Sequence, residues 1–245
     1  RRSRRPPPGR PAVLCALGAN AAIFALWQVE RRGGAARWLR PLLSRNATCS
    51  LEQVRRGRVH TLLTSTMSHQ APLHFVVNAY GLYLFGSLAA ETLSPYELGS
   101  LVAVCGVGAS TCHVLAHPNT AVLGASGALM GVLTAAGLLE PERRFRMLFP
   151  LPGLTLSMLQ VADLALLANL MGFVLLRRWF GSVAWAAHLG GTAAGLGIAC
   201  RASWSGDGRF RDCLSIHVER CKEDWLCTAE SVEAGVASVE RLLRR

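Results

Sequence analysis

Val122-Leu-Gly-Ala-Ser-Gly-Ala-Leu-Met-Gly-Val-Leu-Thr-Ala-Ala-Gly-Leu-Leu139 is a run of 18 residues that carries no charge and holds one serine, Ser126, between Gly124-Ala125 and Gly127. At a rise of about 1.5 Å per residue, a helix of this length crosses most of a hydrocarbon core about 30 Å thick, so the serine hydroxyl would sit inside a membrane. Two readings compete. Gly127, Gly131 and Ala135 recur every fourth residue as a small-residue stripe that lets helices touch closely, and Ser126 could extend it. Alternatively, Ser126 is a nucleophile whose base lies on another helix. The stretch taken alone favours packing, so the decision rests on the rest of the chain.

The 245 residues are 51% hydrophobic and 17% charged, with a mean hydropathy of +0.30. That is too apolar for an ordinary soluble domain and indicates a polytopic membrane protein. A formal charge of +11 could suggest nucleic acid, but the arginines lie at the ends of apolar stretches, where they face phospholipid head groups or set topology. The lipid bilayer is therefore the expected partner and nucleic acid is not. The eight cysteines are scattered over apolar segments, a loop and the tail, which is no disulfide framework. Cys213, His217 and Cys221 would share a helical face, but without a paired Cys-x-x-Cys free thiols are expected rather than a metal site.

Six transmembrane helices account for the apolar segments: Pro11–Val29, one starting near Pro72, Leu98–Leu115, Val122–Leu139, Leu151–Leu176 and Val183–Ala199. The fold expected is an all-α membrane protein, a polytopic six-helix bundle over residues 11–200. Residues 1–10 form a basic disordered arm that fits the remnant of a mitochondrial presequence and, nearly as well, a positive flank for the first helix. The chain begins with Arg1 rather than Met, as a processed form or a fragment would. Residues 30–59 are a polar connection in which Trp38 and flanking arginines suit the head-group layer. The bias of Lys and Arg across the connections weakly favours an inside amino terminus. The tail, 201–245, is unassigned; Val232, Val236, Val239 and Leu243 have helix-like spacing.

Polar residues within spans are costly and suggest roles. His69, His74 and Asn78 lie at the start of the second helix, Ser126 at the start of the fourth and His188 at the start of the sixth. These alternate helices cross in the same direction, so His74, Asn78, Ser126 and His188 fall at one depth. Ala187, Gly191 and Gly195 form a stripe matching Gly127, Gly131 and Ala135, which brings His188 beside Ser126. A serine hydroxyl needs a neighbouring imidazole to take its proton, and no acid lies at this depth to orient one, so the reading is a Ser-His dyad. His74 and Asn78 then supply donors for the oxyanion of a tetrahedral intermediate. His69 braces the adjoining loop. Asp163 and Asn169 read most simply as interhelical hydrogen-bonding groups. Four such groups at one depth favour a hydrolytic site over coincidental packing.

Gly124-Ala-Ser126-Gly127, Ala187-His188-Leu-Gly190 and the H-x-x-x-x-H-x-x-x-N run from His69 to Asn78 resemble the signature set of the rhomboid intramembrane serine proteases. The flanking words resemble most closely the mitochondrial, presenilin-associated rhomboid-like branch, and Met130 stands where many bacterial members carry a tyrosine. The resemblance implies Ser126 as nucleophile, His188 as general base, and His74 and Asn78 at the oxyanion. It implies cleavage of transmembrane segments of single-pass or signal-anchored membrane proteins, in the mitochondrial inner membrane, with no metal or organic cofactor. The alternative is a catalytically silent rhomboid-like protein that binds and routes membrane clients.

Overall fold

A computed structural model of the chain describes residues 7–146, 155–176 and 183–202. In order, it contains α1 (Arg10–Arg31), a 3-10 turn (Gly34–Trp38), α2 (Leu39–Asn46), α3 (Leu51–Arg55), α4 (Thr61–Thr64), α5 (Pro72–Ala89) and α6 (Pro95–Ala116). Then come α7 (Ser126–Leu139), strands β1 (Arg144–Arg146) and β2 (Thr155–Ser157), α8 (Met158–Met171) with a π turn (Gly172–Leu176), and α9 (Trp185–Ala202). The basic arm up to residue 6, the Cys213, His217 and Cys221 set and the possible tail helix lie outside the described residues.

Local chemistry accounts for the helix starts. Pro72 and Pro95 stand in the first turns of α5 and α6, where a missing N–H costs nothing and the fixed φ is already helical. Ser94 and Glu97 form a reciprocal capping box at α6, and Ser157 and Gln160 form another at α8, each satisfying two backbone donors that would otherwise lack partners.

Three expectations are corrected. The fourth helix does not begin at Val122. Gly124 has φ +118°, outside the right-handed helical region, and Val122 instead bridges Cys49 in extended conformation. α7 thus has 14 residues, about 21 Å at the helical rise, and Ser126 is its first residue. Within the span drawn as Leu151–Leu176, the described residues Thr155–Ser157 form a strand and the helix starts at Met158. Nor is the chain purely helical: β1 and β2 pair antiparallel, Arg144 opposite Ser157, so the backbone after α7 finds partners before α8 starts. Among the described residues, Arg10–Arg31, Pro95–Ala116 and Met158–Leu176 are long and apolar enough to cross a membrane, and Ser126–Leu139 is a shorter apolar helix.

Packing centres on α9, which lies against α6 and α7 with almost no side chain between. A Cβ on Gly191 would fall 1.8 Å from the carbonyl oxygen of Gly127, and one on Gly195 would fall 2.1 Å from that of Gly131. On the α6 side, a Cβ on Gly190 would lie 2.6 Å from the carbonyl of Gly108. Backbone contact of this kind replaces the hydrophobic drive that membrane helices lack. Leu98, Leu101, Val132 and Met158 are fully buried beside it, whereas Val76, Tyr80, Leu167 and Val174 are more than half exposed, as suits faces turned to lipid.

Candidate active site

The segment leading into Ser126 is irregular backbone, which membrane depth tolerates only where protein supplies its hydrogen bonds. Here the chain between α2 and α5 supplies them. Val122 and Cys49 exchange two bonds of 2.8 and 2.9 Å, and the Gly124 N–H donates to the Ser65 carbonyl at 2.9 Å. The Ala125 N–H donates to Nε2 of His69 at 3.1 Å, and His69 is fully buried. That segment is itself anchored: the Trp27 indole donates to the Ser68 hydroxyl at 2.8 Å, and the Ser65 and Ser110 hydroxyls lie 3.2 Å apart.

Gly124 is required here twice over. Its φ is disfavoured for any side chain, and a Cβ would stand 2.6 Å from Cε1 of His74. The His74 ring therefore lies directly against the backbone two residues before Ser126. His69 and His74 meet edge to face, centroids 4.9 Å apart. Asn78 is buried one turn further along α5. Its Nδ2 donates to the His74 carbonyl at 2.8 Å, a bond that takes one of the two hydrogens of that group.

Ser126 meets His188 from α9, with Nε2 of His188 2.8 Å from Oγ. The other ring nitrogen, Nδ1, is 2.6 Å from Oδ1 of Asn169 on α8. Trp185, one turn before His188, stands edge-on to its ring at 6.1 Å. As first residue of α7, Ser126 also sits where backbone N–H groups have no intrahelical acceptor and the helix dipole is positive, an environment that stabilises negative charge. A hydroxyl bonded to an imidazole at such a helix end is the arrangement that nucleophilic acyl chemistry uses.

The fold thus brings Ser126 and His188 together and sets His69 and His74 against Ala125 and Gly124. It places Gly127 and Gly191 in the backbone contact that holds α7 to α9. Asn169 also reaches the site, a link that its place in the sequence does not disclose. Its signal in the sequence is one amide among the three polar residues of α8, with Gln160 and Asp163, which says that a partner exists without saying which. Among the described residues, no group of three or more His, Cys, Asp or Glu is arranged to hold a metal ion.

A model of the rhomboid domain matches residues 56–205. Rhomboid-like protein 12, mitochondrial, of Arabidopsis thaliana is 29% identical over 206 residues, covering 75% of this chain and 56% of the relative. Rhomboid protein 1, mitochondrial, of Saccharomyces cerevisiae is 33% identical over 193 residues, 75% of this chain and 51% of the relative. Presenilin-associated rhomboid-like protein, mitochondrial, of Mus musculus is 29% identical over 194 residues, 77% of this chain and 48% of the relative. The chain spans about half the length of the curated relatives it matches.

Proposed function

The chain belongs to the rhomboid family, and from that premise we propose that it is an intramembrane serine endopeptidase working through Ser126 and His188. The observation that carries this reading is the 2.8 Å approach of His188 Nε2 to Ser126 Oγ. In the proposed reaction the Oγ–H proton passes to Nε2 as Oγ bonds to a peptide carbonyl carbon, and the carbonyl π electrons move onto oxygen. His74, Asn78 and the backbone N–H groups at the start of α7 receive that oxyanion. His188 returns the proton to the departing amine. A water, deprotonated by the same histidine, then attacks the acyl carbon, and the C–Oγ bond breaks as that proton returns to Ser126 Oγ.

The substrates proposed are transmembrane segments of single-pass or signal-anchored membrane proteins. A helical backbone in lipid has its carbonyls hydrogen-bonded internally, so a substrate must unwind locally before Ser126 can attack. The setting is multi-pass, in mitochondria, in keeping with the matched relatives; six crossings, formed by α1 and α5 to α9, and the inner membrane are the finer parts of the proposal. The chemistry asks for no metal or organic cofactor.

Labelling by a serine-reactive fluorophosphonate tests the reading. The wild-type chain should be labelled, Ser126→Ala should not, and His188→Ala should label far more slowly. A wild-type chain that binds membrane clients but takes no label would favour a silent, client-routing role.

A further inference from the structure

Asn169 is buried in α8, 4% exposed, and its amide is held from both ends. Nδ2 donates to the Ala165 carbonyl at 2.7 Å and approaches the Met130 sulfur at 3.4 Å. A carbonyl oxygen and a thioether only accept, so both point to the nitrogen end of the amide and leave Oδ1 for His188, 2.6 Å away. An amide oxygen carries no hydrogen. The proton in that bond must therefore belong to Nδ1 of His188, and a neutral imidazole protonated at Nδ1 has its lone pair at Nε2, the atom facing Ser126. The level of Asn169 is fixed as well: one turn on, Gly172 packs against the Trp185 ring so closely that a Cβ would meet it at 2.4 Å, which registers the end of α8 against the start of α9.

We infer that Asn169 is a positioning residue, holding His188 in the tautomer and orientation whose unprotonated Nε2 accepts the Ser126 proton. This rests on the protease reading and makes the arrangement Ser-His-Asn rather than a dyad. Asn169 touches no reacting atom. When His188 takes the proton, the Nδ1–H bond to Oδ1 persists and the amide dipole favours the imidazolium without any transfer to Asn169 itself. A residue that merely ties α8 to α9 would influence stability but not the ring tautomer.

The test is ¹⁵N NMR of the full chain in micelles with labelled histidine, His188 signals being identified by their loss in His188→Gln. The tautomer is then measured rather than inferred from hydrogen bonding. Wild type should show a protonated Nδ1 and a bare Nε2. Asn169→Leu, similar in size but without an acceptor, should lose that signature, and its fluorophosphonate labelling should slow by about 10- to 100-fold. That is less than loss of a charged orienting group costs in a Ser-His-Asp site. Asn169→Asp keeps the acceptor and should restore labelling to within a few-fold of wild type, and for a cleaved substrate Asn169→Leu should lower kcat with KM unchanged. A wild-type His188 protonated at Nε2 would overturn the inference, as would Asn169→Leu with unchanged histidine signals and labelling. The wild-type spectrum decides even where a variant does not fold. A wild type that takes no label would sink the protease reading alone, since the spectrum reads the Asn169 bond independently.

Discussion

Gly191 lies so close to Gly127 that a Cβ on it would reach 1.8 Å from the Gly127 carbonyl oxygen. This contact sets the distance between α7 and α9, and with it the 2.8 Å approach of His188 to Ser126. Gly127 directly follows the serine in the chain, and Gly191 stands three positions after the histidine. Any side chain inserted at the contact is therefore transmitted almost undamped to the two side chains proposed to react, since packed helices do not deform continuously.

Gly191→Leu should abolish fluorophosphonate labelling of Ser126 while membrane insertion persists, and Gly191→Ala should already slow it. Overpacking of this kind costs about 1–3 kcal/mol, and a misplacement of about 1 Å at reacting groups costs on the order of 10²-fold in rate. Gly197→Ala is the control, because a Cβ there meets nothing within 4 Å. Labelling of Gly191→Leu at the wild-type rate would show that the contact does not govern the site.

His74→Ala and Asn78→Ala should each lower turnover with substrate affinity nearly unchanged, because the bonds proposed for them to an oxyanion would strengthen only as charge develops. A loss on the order of 10²–10³ is expected for one preorganised donor, and less where the α7 amides compensate. Single-turnover cleavage in liposomes measures it. Wild-type rates in both variants would assign the oxyanion to the backbone N–H groups of Ser126 and Gly127.

At the opposite end of α7, Arg143 donates to both carboxylate oxygens of Glu91. Hydrogen bonding to that guanidinium holds the Glu91 carboxyl below its usual value and raises Arg143. A lowered folded-state value means the pair stabilises above the ordinary glutamate range and loses that contribution as pH falls through the lowered value. The partners are 39% and 45% exposed, so the effect is at most about 1 kcal/mol. Wild type should melt slightly above Glu91→Gln at neutral pH, and the gap should close in acid. A gap that widened in acid would reverse the assignment.

Much of the site was legible because its chemistry is periodic or costly. Gly127 and Gly131 repeat every four residues, as do Ala187, Gly191 and Gly195, so close helix contact could be read directly. Ser126 and His188 are polar where polarity is expensive. Other features depend on partners that the local sequence does not name. Val122 to Ala125 has the composition of a helix, yet Gly124 leaves the helical region because Cys49, Ser65 and His69 hold that backbone, and those residues are at least 55 positions away. Asn169 looked like generic interhelical glue because its partner is decided by the register of α8 against α9. The β1–β2 pairing joins residues around a connection that composition alone reads as a helix boundary and a span.

The most direct measurement is cleavage of a reporter transmembrane helix by the purified chain in liposomes, across about pH 5 to 8. Ser126-dependent cleavage that falls toward acid is expected, since His188, the proposed base, can accept a proton only while neutral, with Ser126→Ala inactive throughout. Cleavage that survives Ser126→Ala, or a single-turnover rate flat across that range, would contradict that expectation.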